Sequence, residues 1–141
     1  MRSFPYDPAQ DIPGPAETDE EREYREQVRR VKEVARTAVP PGAVVLIVSQ
    51  EDPDVVQLEG RTGWHFPQTR GGHAAKFKDL DGPRAIAHLE ELRHKGADYL
   101  LFPKDTYWLL EDYPDFRRHL VTHYRRVAGP PEDVCILFAL R

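Results

Sequence analysis

The sequence predicts an α/β fold, specifically a three-layer Rossmann-like sandwich with a mostly parallel central sheet and an antiparallel C-terminal edge. Residues 43–48 and 99–102 are apolar without polar alternation, which is typical of strands that are buried on both faces of a parallel sheet. An amphipathic helical pattern precedes each of these runs. The turn at residues 129–133 separates two further strand-like runs, and its Gly-Pro-Pro sequence predicts that they pair in antiparallel fashion.

The length of 141 residues predicts a single domain. Residues 1–16 include four prolines and predict an extended Pro-rich tail. Residues 17–141 are predicted to form the domain, with an N-terminal helix over 17–39 followed by a sheet core over 40–141.

Two helices have clear boundary signals. The spacing of Thr18 and Glu21 predicts a capping box at the start of the first helix, and Pro40 ends it. A second helix is predicted over residues 83–95, with Pro83 at its first position. A third helix is predicted after Asp105, and Pro114 is expected to break or restart it.

Residues 61–67 predict an edge strand or an extended segment rather than a central strand, because Pro67 has no backbone N–H to donate to a neighbouring strand. In a strand, Trp64 and Phe66 lie on one face and His65 on the other.

The composition disfavours several classes of partner. The chain has 20 Lys and Arg against 24 Asp and Glu, a net charge of −4, so we expect no nucleic-acid partner. No apolar run is long enough to span a bilayer, and we expect no membrane association. Cys135 is the only cysteine, which excludes an intrachain disulfide and suits a reducing compartment. These features predict a cytoplasmic protein.

A first candidate site lies where the two buried strands end. Ser49 and Gln50 follow the first strand, and Lys104, Asp105 and Thr106 follow the second. Parallel neighbours would bring these residues to one rim of the sheet, where open α/β sheets hold ligands. Asp105 is predicted to cap a third helix, whose free N–H groups could hold an anion beside Lys104. The alternative is an ordinary helix cap with a solvated lysine.

A second candidate site combines Trp64, His65 and Gln68 with Arg70 and His73 on a glycine-containing stretch. An indole that stacks and polar groups that form hydrogen bonds would suit a sugar or a nucleotide. The alternative is that the indole is a core anchor and that the imidazole faces solvent or bonds to the backbone.

Other chemical groups do not form a recognisable catalytic or metal site. His119 and His123 have the spacing of zinc ligands on a helix, but a third ligand is missing and the adjacent Arg117 and Arg118 would repel a cation. Cys135 lies in an apolar run and is expected to be an unreactive, buried thiol. There is no phosphate-loop signature. We therefore expect no metal, no other cofactor and no catalytic residues.

Several segments carry a family resemblance, which covers about residues 40–141. The segments are 44–49, 60–68, 96–103, 107–114 and 134–138. They resemble an uncharacterised small α/β domain that is common in actinobacterial proteins and is often attached to family 2 glycosyltransferases. This chain differs from that pattern at residues 104–106, where such sequences usually have small, apolar or hydroxyl residues. No glycosyltransferase segment follows residue 141, so a free-standing copy is expected.

The resemblance implies an association with carbohydrate-assembly enzymes, which leads to three functional hypotheses. The first is a non-catalytic accessory or binding module in carbohydrate or cell-surface biosynthesis, with a sugar or sugar-nucleotide ligand. The second is a small transferase or hydrolase in which His65 is the general base and Asp105 orients it. The third is a scaffold that docks on a glycosyltransferase or another protein through the N-terminal helix and tail.

Overall fold

A computed structural model describes residues 17–141, and the predicted tail at residues 1–16 lies outside the described residues. This part of the chain forms four α-helices and five strands of the α/β class. The helices are α1 (Asp19–Ala38), α2 (Gly82–His94), α3 (Trp108–Asp112) and α4 (Pro114–His123). The strands are β1 (Val44–Ile47), β2 (Thr62–His65), β3 (Tyr99–Pro103), β4 (Arg125–Arg126) and β5 (Cys135–Ala139).

The five strands form one mixed sheet with the order β2-β1-β3-β5-β4. β1 lies between β2 and β3 and is parallel to both, whereas β5 is antiparallel to β3 and to β4. The expected antiparallel C-terminal edge is therefore present, and β2 is at the other edge, as Pro67 indicates. The parallel part is smaller than expected, because only two of the four pairings are parallel.

The first helix begins with the expected capping box. The Glu21 amide donates to Thr18 Oγ1 at 3.0 Å, and the Thr18 amide donates to Glu21 Oε1 at 2.8 Å. Two of the four free N–H groups at this helix end are thereby satisfied. α1 buries Val28, Val31 and Ala35, which are spaced to share one face of a helix.

Alternate residues of β1 belong to different hydrophobic clusters. Val45 and Ile47 pack in a cluster with the α1 residues Val28 and Val31. Leu46 and Val48 belong to the other cluster, whose helical members come from α2, α3 and α4 and are Ala85, Leu89, Leu92, Leu109, Phe116 and Leu120. Since successive strand side chains point to opposite faces, the residues on each face of β1 pack in a cluster of their own, which explains the unbroken apolar run at this strand.

The chain after β3 differs from the sequence-based expectation. Asp105 does not cap a helix, because the chain leaves β3 through a 3₁₀ turn over Lys104–Thr106, with Asp105 in its middle. The Thr106 hydroxyl closes this turn by donating to the Pro103 carbonyl at 2.7 Å, and α3 begins without a side-chain cap. The division of this helical region at Pro114 is confirmed, since α3 ends at Asp112 and α4 begins at Pro114.

The second helix begins one residue earlier than predicted, at Gly82, and Asp81 caps it by accepting from the Arg84 amide at 2.8 Å. Among residues 17–141, no helix is long and apolar enough to cross a membrane.

Candidate ligand-binding cleft

A cleft of about 470 Å³ opens at the carboxyl ends of the three parallel strands. Val48 and Gln50 line it after β1, Phe66 and Pro67 line it after β2, and Asp105 lines it after β3. β2 lies on one side of β1, and β3 lies on the other side. The cleft is therefore at the point where the strand order changes direction. Open α/β sheets usually bind ligands at such a position. The remaining lining residues are Glu51, Ala75, Lys76, Phe77, Lys78, Trp108 and Leu109.

Packed aromatic rings form the apolar part of the cleft. Phe66 and Phe77 lie edge to face with ring centroids 5.9 Å apart, and Phe116 packs against both rings at 5.9 and 5.6 Å. Tyr113 holds Phe77 from another side, with a ring-centroid distance of 4.8 Å. In contrast to these buried or half-buried rings, Trp108 keeps 47% of its surface exposed. An apolar base with an exposed indole suits a ligand that has a flat apolar face.

The loop after β1 has an unusual backbone. Gln50 and Glu51 have φ angles of 50° and 70°, the left-handed region that non-glycine residues rarely adopt. Each such residue costs about 1–3 kcal/mol, and such conformations are concentrated at ligand-binding sites. The loop is closed by a hydrogen bond from the Asp52 amide to the Ser49 carbonyl at 3.0 Å. This geometry directs the chain after Ser49 into the wall of the cleft.

Charges of opposite sign lie on different walls of the cleft. Glu51 and Asp105 follow β1 and β3, whereas Lys76 and Lys78 belong to a 3₁₀ turn (Phe77–Asp79) and its preceding residue. Burial of the carboxyl raises the pKa of Asp105, and the negative charge of Asp52 acts in the same direction. The carboxylate wall is therefore a better acceptor for hydroxyl groups than a site for a second anion.

Ser49 and His65 form a polar pair beside the cleft. Ser49 is buried, and its hydroxyl lies 2.5 Å from Nδ1 of His65. Burial lowers the pKa of His65, against the opposing effect of the Asp52 carboxylate. Among the described residues, no hydrogen bond or ion pair joins His65 to Asp105, so the orienting contact that a His–Asp pair requires is not formed.

The other sequence-predicted site residues have structural contacts or face solvent outside the cleft. Trp64 is half-buried and packs against the aromatic core cluster. The Gln68 side chain donates to the His65 carbonyl at 2.9 Å, and the Thr106 hydroxyl is used within its own turn. Lys104 is exposed but does not line the cleft. Arg70 and His73 are exposed and do not line the cleft either. Of the ten residues in the two candidate sites, the cleft includes Gln50 and Asp105.

Sequence patterns did not indicate four of the residues that line the cleft. Lys76, Phe77 and Lys78 belong to no motif. Trp108 lies inside the predicted third helix and in the segment 107–114 of the family resemblance, but neither pattern made it a candidate site residue. The one available signal is helical: Trp108 precedes Leu109, and adjacent residues on a helix cannot share one face, so burial of Leu109 leaves the indole outside.

Within residues 17–141, no group of three or more His, Cys, Asp or Glu side chains could hold a metal ion. His119 instead lies 3.0 Å from Glu90 through its Nε2 atom. Cys135 is fully buried, and burial raises the pKa of its thiol to about 12, which suits the expected unreactive thiol.

Comparison with models of protein families, with curated proteins and with solved structures gave no significant match for this chain. The functional argument therefore depends on the residues of the cleft.

Proposed function

We propose that this protein is a non-catalytic binding module associated with carbohydrate or cell-surface biosynthesis, and that its cleft holds a sugar or a sugar nucleotide. The main observation is the position of Trp108, which is 47% exposed at a cleft that also contains carboxylate and amide groups. The indole suits the C–H face of a sugar ring, and Gln50, Glu51 and Asp105 suit its hydroxyl groups.

The proposed fold is a three-layer, Rossmann-like arrangement around the mixed sheet. It is supported by the separation of the core into a cluster that contains α1 residues and a cluster that contains residues of α2, α3 and α4. The strand order β2-β1-β3 also resembles the centre of a doubly wound sheet, and the cleft lies at the expected edge.

A small transferase or hydrolase is the weaker alternative. The lowered pKa of His65 suits a neutral imidazole that accepts a proton at neutral pH. Its Nδ1 atom lies against Ser49 rather than Asp105, and His65 does not line the cleft. The geometry therefore supports binding better than catalysis.

A protein scaffold remains a second alternative, with a glycosyltransferase or another protein as partner. α1 contributes Val28, Val31 and Ala35 to the core, so a partner would have to contact its outer, charged face. Because removal of α1 would expose this core, deletion of residues 1–39 would not separate docking from folding. We also propose that the protein has no nucleic-acid partner, which the net charge of −4 supports. A cytoplasmic location is proposed as well, and the single cysteine supports it.

Titration calorimetry and thermal unfolding with neutral sugars and sugar nucleotides would test the binding proposal. A ligand at a hundredfold excess over its Kd should stabilise the folded protein by about 2.7 kcal/mol. Trp108→Ala should lose this effect, whereas Val121→Ala, an exposed apolar residue on α4 outside the cleft, should retain it. The proposal is wrong if no sugar binds, or if the two variants bind equally well.

A further inference from the structure

Lys76 and Lys78 are two exposed cations that line the cleft on either side of the buried Phe77. Within the part of the chain that the structure describes, neither lysine forms an ion pair. Two other lysines are paired, since the Lys32 ammonium lies 2.9 Å from Asp54 and the Lys95 ammonium lies 3.9 Å from Glu91. Lys104 has no ion pair among the described residues either, but it does not line the cleft. The two positive charges of the cleft are therefore not neutralised by a side chain of residues 17–141.

The backbone that carries these lysines is firmly anchored. The Phe77 ring packs against Phe66, Tyr113 and Phe116, with centroid distances of 5.9, 4.8 and 5.6 Å. The Tyr113 hydroxyl also donates to the Phe77 carbonyl at 3.2 Å. Anchoring lowers the entropy lost when a ligand binds, because only the lysine side chains remain to be ordered.

The anchored lysines face a cleft whose other charged wall is acidic, with Glu51 and Asp105. A neutral sugar could occupy the carboxylate and indole side, but it would leave both ammonium groups without a counter-charge. A sugar with an anionic substituent would satisfy both walls at once, with its hydroxyl groups toward the carboxylates and its anion toward the lysines.

We infer, on the basis of the proposed function, that the ligand of this cleft is an anionic sugar whose phosphate or carboxylate group is bound by Lys76 and Lys78. The ring lies against Trp108, and its hydroxyl groups donate to Glu51 and Asp105. This orientation excludes the reverse pose, because the anion would then meet the carboxylates.

Calorimetric titrations with glucose, glucose 1-phosphate and glucuronic acid would test this inference. At low ionic strength we expect at least one anionic sugar to bind about tenfold or more tightly than glucose, the order of one charge-assisted hydrogen bond. The advantage should shrink at high salt, which screens exposed charges. Comparison of the phosphate with the carboxylate assigns the anionic group.

Matched variants distinguish the effect of these two lysines on anion binding from the effect of the overall electrostatic field of the protein. Lys76→Gln/Lys78→Gln should remove the advantage of the anionic sugar over glucose. Lys104→Gln removes a nearby exposed charge that does not line the cleft, so it should retain the advantage. Lys76→Arg/Lys78→Arg keeps both charges and should retain most of the advantage, as expected if the positive charge binds the anion. Thermal unfolding of the glutamine variant checks that it is folded.

The results distinguish this inference from the function on which it rests. If glucose binds as tightly as both anionic sugars, the inference is overturned while the binding function stands. If Lys104→Gln lowers the advantage as much as the double glutamine variant, the anion responds to the overall field and the inference is also overturned. If no sugar of any kind binds, both the function and the inference are wrong.

Discussion

The junction between α2 and α4 differs from the cleft in how its polar groups are used. At this α2–α4 junction, Glu90 accepts hydrogen bonds from Arg93 Nε at 2.9 Å, from His119 Nε2 at 3.0 Å and from the Tyr124 hydroxyl. Burial by itself would raise the pKa of Glu90, but these three donors outweigh it and lower the pKa to about 2. The junction thus satisfies its central carboxylate within the chain.

The cleft has a comparable mixture of charged and aromatic residues without such internal pairing. Lys76 and Lys78 have no ion-pair partner in the described residues, and the Trp108 indole is exposed. The loop over Gln50 and Glu51 also keeps a costly backbone conformation. The difference indicates that the junction serves to fix elements to each other, whereas the cleft retains groups for an external ligand.

The largest expected effect tests how tightly β2 is packed, since this strand leads into the cleft residues Phe66 and Pro67. A Cβ atom at Gly63 of β2 would lie 2.0 Å from the Val56 carbonyl oxygen, a backbone atom that cannot turn aside. We expect Gly63→Ala to lower the free energy of unfolding by about 3 kcal/mol or more, as overpacking does when it displaces backbone. Urea unfolding would measure it.

Thr62→Ala is a suitable control, because Thr62 is exposed on the same strand and its loss should cost less than about 1 kcal/mol. Similar unfolding midpoints for the two variants would show that the backbone at Val56 moves away from the added methyl group at little cost, and would contradict the expectation.

The two tryptophans provide the next test. Trp64 packs on the core cluster, so Trp64→Ala should lower the free energy of unfolding by about 2 kcal/mol or more. Trp108 is largely exposed, so Trp108→Ala should cost less than about 1 kcal/mol while it abolishes sugar binding. Denaturant unfolding and calorimetry on both variants separate the roles. A large loss of stability in Trp108→Ala would place the indole in the core instead.

Glu90→Gln tests the junction directly. It removes the negative charge and replaces one of the two acceptor oxygens with an NH2 donor, which should lower the free energy of unfolding by about 2 kcal/mol at pH 7. The folded-state pKa of about 2 lies below the ordinary value of 4.5, so this stabilisation is complete above pH 4.5 and is lost as the pH falls toward 2. The gap between the variant and the natural protein should therefore close over that range.

Glu91→Gln, on the same helix and exposed, should have little effect at any of these pH values. A constant gap between Glu90→Gln and the natural protein from pH 7 to pH 2 would contradict the proposed role of the Glu90 charge.

The smallest expected effect concerns the strained loop. Glu51→Gly should raise the free energy of unfolding by about 1 kcal/mol, because glycine adopts a φ of 70° without steric cost. Glu51→Ala removes the same carboxylate but keeps the strain, so it should not stabilise the protein. Thermal unfolding of both variants makes the comparison. If Glu51→Gly and Glu51→Ala were equally stable, any gain over the natural protein would come from the lost charge rather than from relief of backbone strain.

Local signals predicted the regular elements well. Thr18 and Glu21 form the capping box, Pro114 separates two helices, and the last two strands are antiparallel. Asp105 was wrong as a cap because the chain turns in a 3₁₀ conformation directly after β3, and a sequence pattern does not distinguish such a turn from the start of an α-helix.

The sequence-based candidates and the cleft share one edge of the sheet, but they share only two residues. Gln50 and Asp105 line the cleft because they follow β1 and β3, two neighbouring parallel strands. Lys104 and Trp64 were chosen for their chemistry but do not line the cleft, whereas Lys76, Lys78 and Trp108 do.

The sequence by itself determined the helices, the buried strands and the edge at which their polar ends meet, because caps, prolines and hydrophobic period act over a few residues. Only the tertiary structure decided which cations and which indole face the cleft. Lys76, Lys78 and Trp108 are distant in sequence from Gln50, and the packing of Phe77 on Phe66 and Phe116 brings their backbone together. These contacts join residues that are distant in sequence, and they depend on how the strands and helices pack, which a pattern of a few neighbouring residues does not encode.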